Sequence, residues 1–169
     1  MEKDLILIGM PGCGKSTLGK RLAKRLGREF LDLDTAIEDE AKKTIPQIFE
    51  EEGEGRFRHR ETQVFHKALG FGRVIATGGG IVTQAENASI AKGGVVIFID
   101  RPLANIIGDV KTDTRPLLAK GKERLKRLYE ERYSLYRNWA DVHIINDTTC
   151  EETLEKIIKE VKEYENHGN

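Results

Sequence analysis

Residues 9–16 read Gly-Met-Pro-Gly-Cys-Gly-Lys-Ser, the spacing G-x-x-x-x-G-K-[ST]. These residue types suit one kind of chemistry. Glycines let backbone N–H groups curl around phosphate oxygens, and a following helix N-terminus adds positive potential. Lys15 has the reach for β- and γ-phosphate oxygens, and the Ser16 hydroxyl suits Mg²⁺. The segment lies directly after an apolar run, Leu5-Ile6-Leu7-Ile8, and directly before a helical pattern, the setting such a loop needs. Gly12, Cys13, Gly14, Lys15, Ser16 and Thr17 are therefore expected to bind a nucleoside triphosphate. Cys13 would stand inside this positive cradle, where a thiol loses its proton more easily. A small residue that simply fits the loop explains it as well.

A nucleotide site alone does not separate a kinase from a GTPase or a motor. The guanine-selecting Asn-Lys-x-Asp signature is absent, and a chain of barely one domain leaves little room for motor elements. Four further features favour a small-molecule kinase. Asp32-x-Asp34 ends a short apolar run, where two acids could converge on a metal and an acceptor hydroxyl. Arg58 and Glu61 are i, i+3 neighbours on a predicted helix, so the glutamate can hold the guanidinium toward a carboxylate ligand. Gly78-Gly79-Gly80 offers bare backbone to a ligand. Arg115 lies in a weakly patterned stretch, Gly108 to Gly121, long enough to be a lid, with Arg132 on the helix behind it. A lid arginine would stabilise charge on a transferring phosphoryl group.

The elements that must hold these residues alternate along the chain. Strands are predicted at Leu5–Ile8, Phe30–Asp34, Val74–Thr77, Val95–Ile99 and Val142–Ile145. Helices are predicted over Ser16–Leu26, Thr44–Glu52, Arg56–Leu69 and a last one opened by the capping box Thr149-x-x-Glu152. Strands separated by helical patterns imply βαβ units and a parallel sheet covered on both faces. Asp100 reads as a helix cap before Pro102 rather than a metal acid. His59, His66, His143 and His167 show no metal-ligand spacing and read as structural or solvated. Tyr129, Tyr133 and Tyr136 fall at i, i+4, i+7, a packing stripe or the rim of a substrate site.

Charge narrows the function classes. The 28 Lys+Arg balance 28 Asp+Glu across 169 residues, which argues against coating nucleic acid or an anionic membrane by bulk electrostatics. The length fits one domain spanning residues 1–169. Cys13 and Cys150 form no Cys-x-x-Cys pair, which excludes a zinc ribbon and a disulfide framework and suits a reducing cytosol. Neither a secretory apolar region nor a membrane-length apolar span is present. The expectation is a cytoplasmic monomer with small-molecule partners only.

In order, the loop at residues 9–17, Asp32-x-Asp34, Gly53-Glu54 with Phe57-Arg58-x-x-Glu61, Gly78-Gly79-Gly80, Arg115-Pro116-Leu117-Leu118 and Arg132-x-x-x-Tyr136 resemble the shikimate kinase family over nearly the whole chain. The resemblance implies a three-layer α/β P-loop kinase fold whose five parallel strands run in the order 2-3-1-4-5. It also implies a shikimate-binding segment around residues 33–61 and a lid around residues 110–121. The implied reaction moves the ATP γ-phosphoryl group to the 3-hydroxyl of shikimate with Mg²⁺, a step of aromatic amino acid biosynthesis. By the same resemblance, Lys15, Asp34 and Arg115 are the catalytic residues, and Arg115 also contacts ATP. Asp34, Arg58, Gly79, Gly80 and Arg132 would bind shikimate. Ser16, and Asp32 through water, would hold the metal.

This chain departs from the family pattern at the adenine end. Many members carry an arginine seven residues before the lid arginine, where this chain has Gly108 with Lys111 nearby. The proline often found before the last helix is replaced within Asn146-Asp147-Thr148-Thr149-Cys150. Looser selection of ATP over other nucleoside triphosphates is expected. The alternatives are a related kinase for another small hydroxylated acceptor, such as gluconate, and a catalytically silent nucleotide-binding module.

Overall fold

Apolar runs too short for helices fold as the strands β1 (Leu5–Ile8), β2 (Phe30–Asp32), β3 (Val74–Ala76), β4 (Val95–Asp100) and β5 (Val142–Ile145). The computed structural model describes residues 2–110 and 118–167. The five strands pair in parallel in the order β2-β3-β1-β4-β5. β1, β3 and β4 are buried along their whole length, as expected for strands with helices on both faces. Between and around them run α1 (Lys15–Leu26), α2 (Leu33–Ala41), α3 (Ile45–Glu52), α4 (Glu54–Ala68), α5 (Ala85–Ala91), α6 (Leu103–Val110), α7 (Leu118–Trp139) and α8 (Cys150–His167). The core is the sheet's aliphatic side chains packed on Leu18 and Leu22 of α1, Phe65 of α4, Tyr136 of α7 and Ile157 of α8.

The chain leaves β1 toward α1 at the point where strand order reverses, with β3 on one side and β4 on the other. Crevices at such switch points, beyond the carboxyl ends of the strands, are where open α/β sheets bind ligands. All five carboxyl ends contribute here: Gly9 follows β1, Asp32 ends β2, Thr77 follows β3, Arg101 follows β4 and Asn146 follows β5.

The strand expected to reach Asp34 stops at Asp32. Asp32 has extended backbone, and its Oδ1 accepts a hydrogen bond from the Thr35 N–H at 3.2 Å, capping α2. Asp34 therefore lies in the first turn of a helix. A cap, not strand alternation, brings the two acids to one place. The expected loop Gly108–Gly121 is shortened from both ends, because α6 runs to Val110 and α7 starts at Leu118. Arg115 and Lys111 lie outside the described residues. The Thr149 cap is present, its hydroxyl accepting from Glu152 N–H at 3.2 Å.

Asp100 is no helix cap. It ends β4, and its Oδ2 accepts from the Tyr133 hydroxyl at 2.7 Å and faces His143 Nε2 at 2.8 Å. His143 also stacks on Phe98 with centroids 4.8 Å apart. The tyrosine stripe is thus split between a tie to the sheet, at Tyr133, and the fully buried Tyr136.

Candidate active site

The loop after β1 wraps one end of a cavity of about 550 Å³, closed on the other side by Asp32, Asp34, Thr77, Gly78 and Gly79. Gly9 has φ 151°, and a Cβ there would stand 2.5 Å from the Ile99 carbonyl oxygen, so the loop can lie against β4 only with glycine at this position. The Lys15 ammonium, largely buried, donates to the carbonyls of Gly9 at 2.7 Å and Met10 at 3.0 Å. This fixes its charge under the loop. Cys13 is fully buried with Sγ 3.6 Å from Lys15 Nζ, so a reagent reaches the thiol only if the loop moves.

Ser16 Oγ donates to Asp32 Oδ2 at 2.8 Å, while the other oxygen of Asp32 caps α2. One carboxylate thus joins the start of α1 to the start of α2. Asp34, on the first turn of α2, lines the same cavity. Burial pushes its pKa above the ordinary aspartate range, the neighbouring Asp32 charge adds to this, and the Lys15 charge opposes it.

Arg58 of α4 donates from Nη1 to Glu61 Oε1 at 2.9 Å, as the i, i+3 spacing predicts. Glu61 is 1% exposed, and its Oε2 is buried with no hydrogen-bond partner among the described residues. Burial raises the Glu61 pKa, opposed chiefly by the Arg58 charge. From α7, Tyr136 donates its hydroxyl to the Gly79 carbonyl at 2.6 Å, and Arg132, one turn earlier, hydrogen-bonds to the same tyrosine.

The three glycines after β3 work by lacking side chains, each against a different neighbour. A Cβ on Gly78 would stand 2.9 Å from Asp34 Oδ1 and 3.3 Å from Glu61 Oε2. One on Gly79 would meet Pro11 Cδ at 2.8 Å, and one on Gly80 would overlap the Arg58 guanidinium. The tract is a spacer that lets the loop after β1, α2 and α4 close on a common point.

Of the residues singled out from sequence, Gly12, Cys13, Gly14, Lys15, Ser16, Thr17, Asp32, Asp34 and Gly79 share one cavity. Gly80 packs on Arg58, and Arg132 is joined to Gly79 through Tyr136. Gly78 escaped the sequence reading as an individual contributor, and so did Arg101, whose Nη1 donates to Gly12 O at 2.9 Å. Nothing in a lone arginine after a strand announces such a contact. Gly108, one of the departures from the family pattern, has open space around its Cβ position. Asn146, Asp147 and Thr148 line a second hollow of about 330 Å³ together with Gly14 and Arg101.

Bare-backbone spacing, an acid beside a phosphate cradle and a braced arginine suit a kinase for a small carboxylated alcohol. A family model described as shikimate kinase matches residues 11–162. The chain belongs to the shikimate kinase family. A shikimate kinase of Clostridium botulinum (strain Alaska E43 / Type E3) is 45% identical over 161 residues, covering 94% of this chain and 97% of that relative. The structure of a shikimate kinase from Acinetobacter baumannii in complex with shikimate superposes with a TM-score of 0.86 at 37% identity, covering 96% of this chain and 94% of that one. A gluconokinase from Sinorhizobium meliloti reaches a TM-score of 0.60 at 11% identity over 97% of both chains, a likeness of fold alone. The family's sheet order and flanking helices are those of this chain, as the sequence resemblance implied.

Proposed function

We propose that this protein transfers the γ-phosphoryl group of ATP to the 3-hydroxyl of shikimate, giving shikimate 3-phosphate and ADP. The observation that carries the reading is the position of Asp34. It stands at the cavity of the phosphate cradle and also against Gly78, opposite the buried Glu61 that holds Arg58.

In this reading Lys15 and the N–H groups of Gly12, Gly14, Ser16 and Thr17 neutralise and align the polyphosphate, while Cys13 closes the loop by donating its N–H to Met10 O at 3.1 Å. Arg58 and Arg132 grip the acceptor carboxylate, with Gly79 and Gly80 allowing its close approach. Asp34 orients the reacting hydroxyl first and takes its proton second, because a loose transition state asks little of a base. Arg115 belongs to the same proposal as the cation over the transferring group.

Ser16 and Asp32 fit Mg²⁺: they are hard oxygen donors 2.8 Å apart at the phosphate cavity. Among the described residues no group of three or more His, Cys, Asp or Glu could hold a metal alone. Mg²⁺ commonly takes one or two protein oxygens together with substrate phosphates. When bound, the ion would neutralise charge on the β- and γ-phosphate oxygens. The reading extends to a cytoplasmic monomer with residues 1–169 as one domain. It is supported by two free cysteines and by the absence, among the described residues, of any helix long and apolar enough to cross a membrane.

A coupled assay of ADP release with shikimate, gluconate and AMP tests the proposal. Turnover is expected with shikimate alone. No turnover with shikimate by protein that still binds MgATP overturns it.

A further inference from the structure

A phosphate cradle works through its N–H groups, and a planar trans peptide points its N–H opposite its carbonyl. Holding the carbonyls outward therefore aims the donors inward. This bears on the donors left for a ligand: Pro11 has no N–H, and that of Cys13 donates to Met10 O at 3.1 Å. Lys15 takes the carbonyls of Gly9 and Met10, and the helical N–H of Leu18 takes that of Gly14. Of the three between them, those of Gly12 and Cys13 are held from outside the loop. Arg101 donates to Gly12 O at 2.9 Å, and Asn146 donates through Nδ2 to Cys13 O at 2.8 Å.

Both donors are themselves fixed. Arg101 pairs with Asp109 on α6 at 2.5 Å. Asn146 accepts on Oδ1 from the hydroxyl of Thr153, which is fully buried, at 3.0 Å. That bond sets the amide so that its NH₂ faces Cys13 O. The peptide between Gly12 and Cys13 is then pinned at both ends, since its N–H donates to Met10 O at 3.1 Å. The next peptide, its oxygen held by Asn146, turns the Gly14 N–H toward the cavity that Gly14 lines.

We infer that Arg101 and Asn146 are positioning residues for the phosphate cradle, Arg101 fixing its turn through the Gly12–Cys13 peptide and Asn146 holding Cys13 O so that the Gly14 N–H meets the nucleotide polyphosphate already aligned. The inference rests on the reading of residues 9–16 as that cradle. Neither residue belongs to the loop, and they come from the carboxyl ends of the two strands on the side of β1 away from β3.

The test compares Arg101→Ala, Arg101→Lys, Asn146→Ala and Asn146→Asp by steady-state kinetics, by calorimetric titration with MgADP and by thermal melting. Each alanine variant is expected to raise KM for ATP and Kd for MgADP about tenfold, the scale of one hydrogen bond at a charged site, with KM for shikimate near wild type. Arg101→Lys keeps a cationic donor and should recover most of the loss. Asn146→Asp keeps the shape but turns an oxygen toward Cys13 O, and should be no better than alanine. Unchanged nucleotide affinity in both alanine variants overturns the inference. So does a parallel rise of both KM values that tracks a fall in Tm, with Arg101→Lys no better than Arg101→Ala. Failure of the wild-type protein to bind MgADP would instead overturn the cradle reading beneath it.

Discussion

In the proposed reading, residues 9–16 make the phosphate cradle from one unbroken stretch, whereas the acceptor wall is drawn from the β2–α2 junction, α4, the glycines after β3, and α7. The cradle would bind through backbone, its side chains mainly turning that backbone the right way. The acceptor wall would work through side chains, its backbone mainly making room for them. A local, backbone-built site keeps its geometry as long as its few outside ties hold. A site assembled from distant elements depends on the spacing between them, here set by three missing Cβ atoms.

The sharpest test of that contrast is Asp34→Asn. Turnover should fall about a hundredfold or more, the range for loss of a positioned acid–base group, while MgADP affinity stays near wild type. Asp34 carries a raised pKa, so its charge costs stability as pH rises through that pKa, and the neutral asparagine should raise Tm at neutral pH. The same displacement sets the sign for the wild-type enzyme. If ionised Asp34 is required, kcat/KM for shikimate should fall on acidification at a pH above the usual aspartate range. An acid limb that survives in Asp34→Asn would assign it to another group.

Gly80→Ala should raise KM for shikimate about tenfold by displacing the Arg58 guanidinium, with KM for ATP little changed. Gly79→Ala pushes on Pro11 instead and should raise both KM values, because this glycine is where the two halves touch. Equal effects of the two variants would mean that the tract is only a flexible loop. Tyr136→Phe removes the donor to Gly79 O and should cost about 1 kcal/mol, read as a lowered denaturation midpoint with a modest rise in KM for shikimate. The smallest effect is expected at the adenine end. Gly108→Arg, entering open space on α6, should modestly increase discrimination of ATP over GTP in kcat/KM.

The same contrast decides what could be read without coordinates. β1, the cradle and α1 are contiguous, and their glycines, lysine and serine declare themselves by spacing. The acceptor residues became legible as a set only through their ordered resemblance to a family, since each short piece has a bland explanation. The apolar start of Phe30-Leu31-Asp32 carries the predicted strand on to Asp34. The signal for a helix was present in the cap at Asp32 and in Leu33 and Ile37, both buried four residues apart. Arg101, Asn146 and the Asp100–Tyr133–His143 cluster left no trace in the pattern. Their partners in these contacts lie 33 to 133 positions away, the farthest being Cys13 for Asn146, and single-sequence spacing carries no such information.

The run Gly78-Gly79-Gly80 also bears on how this pocket could change over generations. Each position is closed to a side chain by a different neighbour: Asp34, Pro11 or Arg58. A substitution at any one of them displaces a separate part of the site, so each change in the tract carries its cost to a different neighbour. Variation in acceptor preference has a shorter route through the side chains that face the tract, with the tract as the rule against which they are measured.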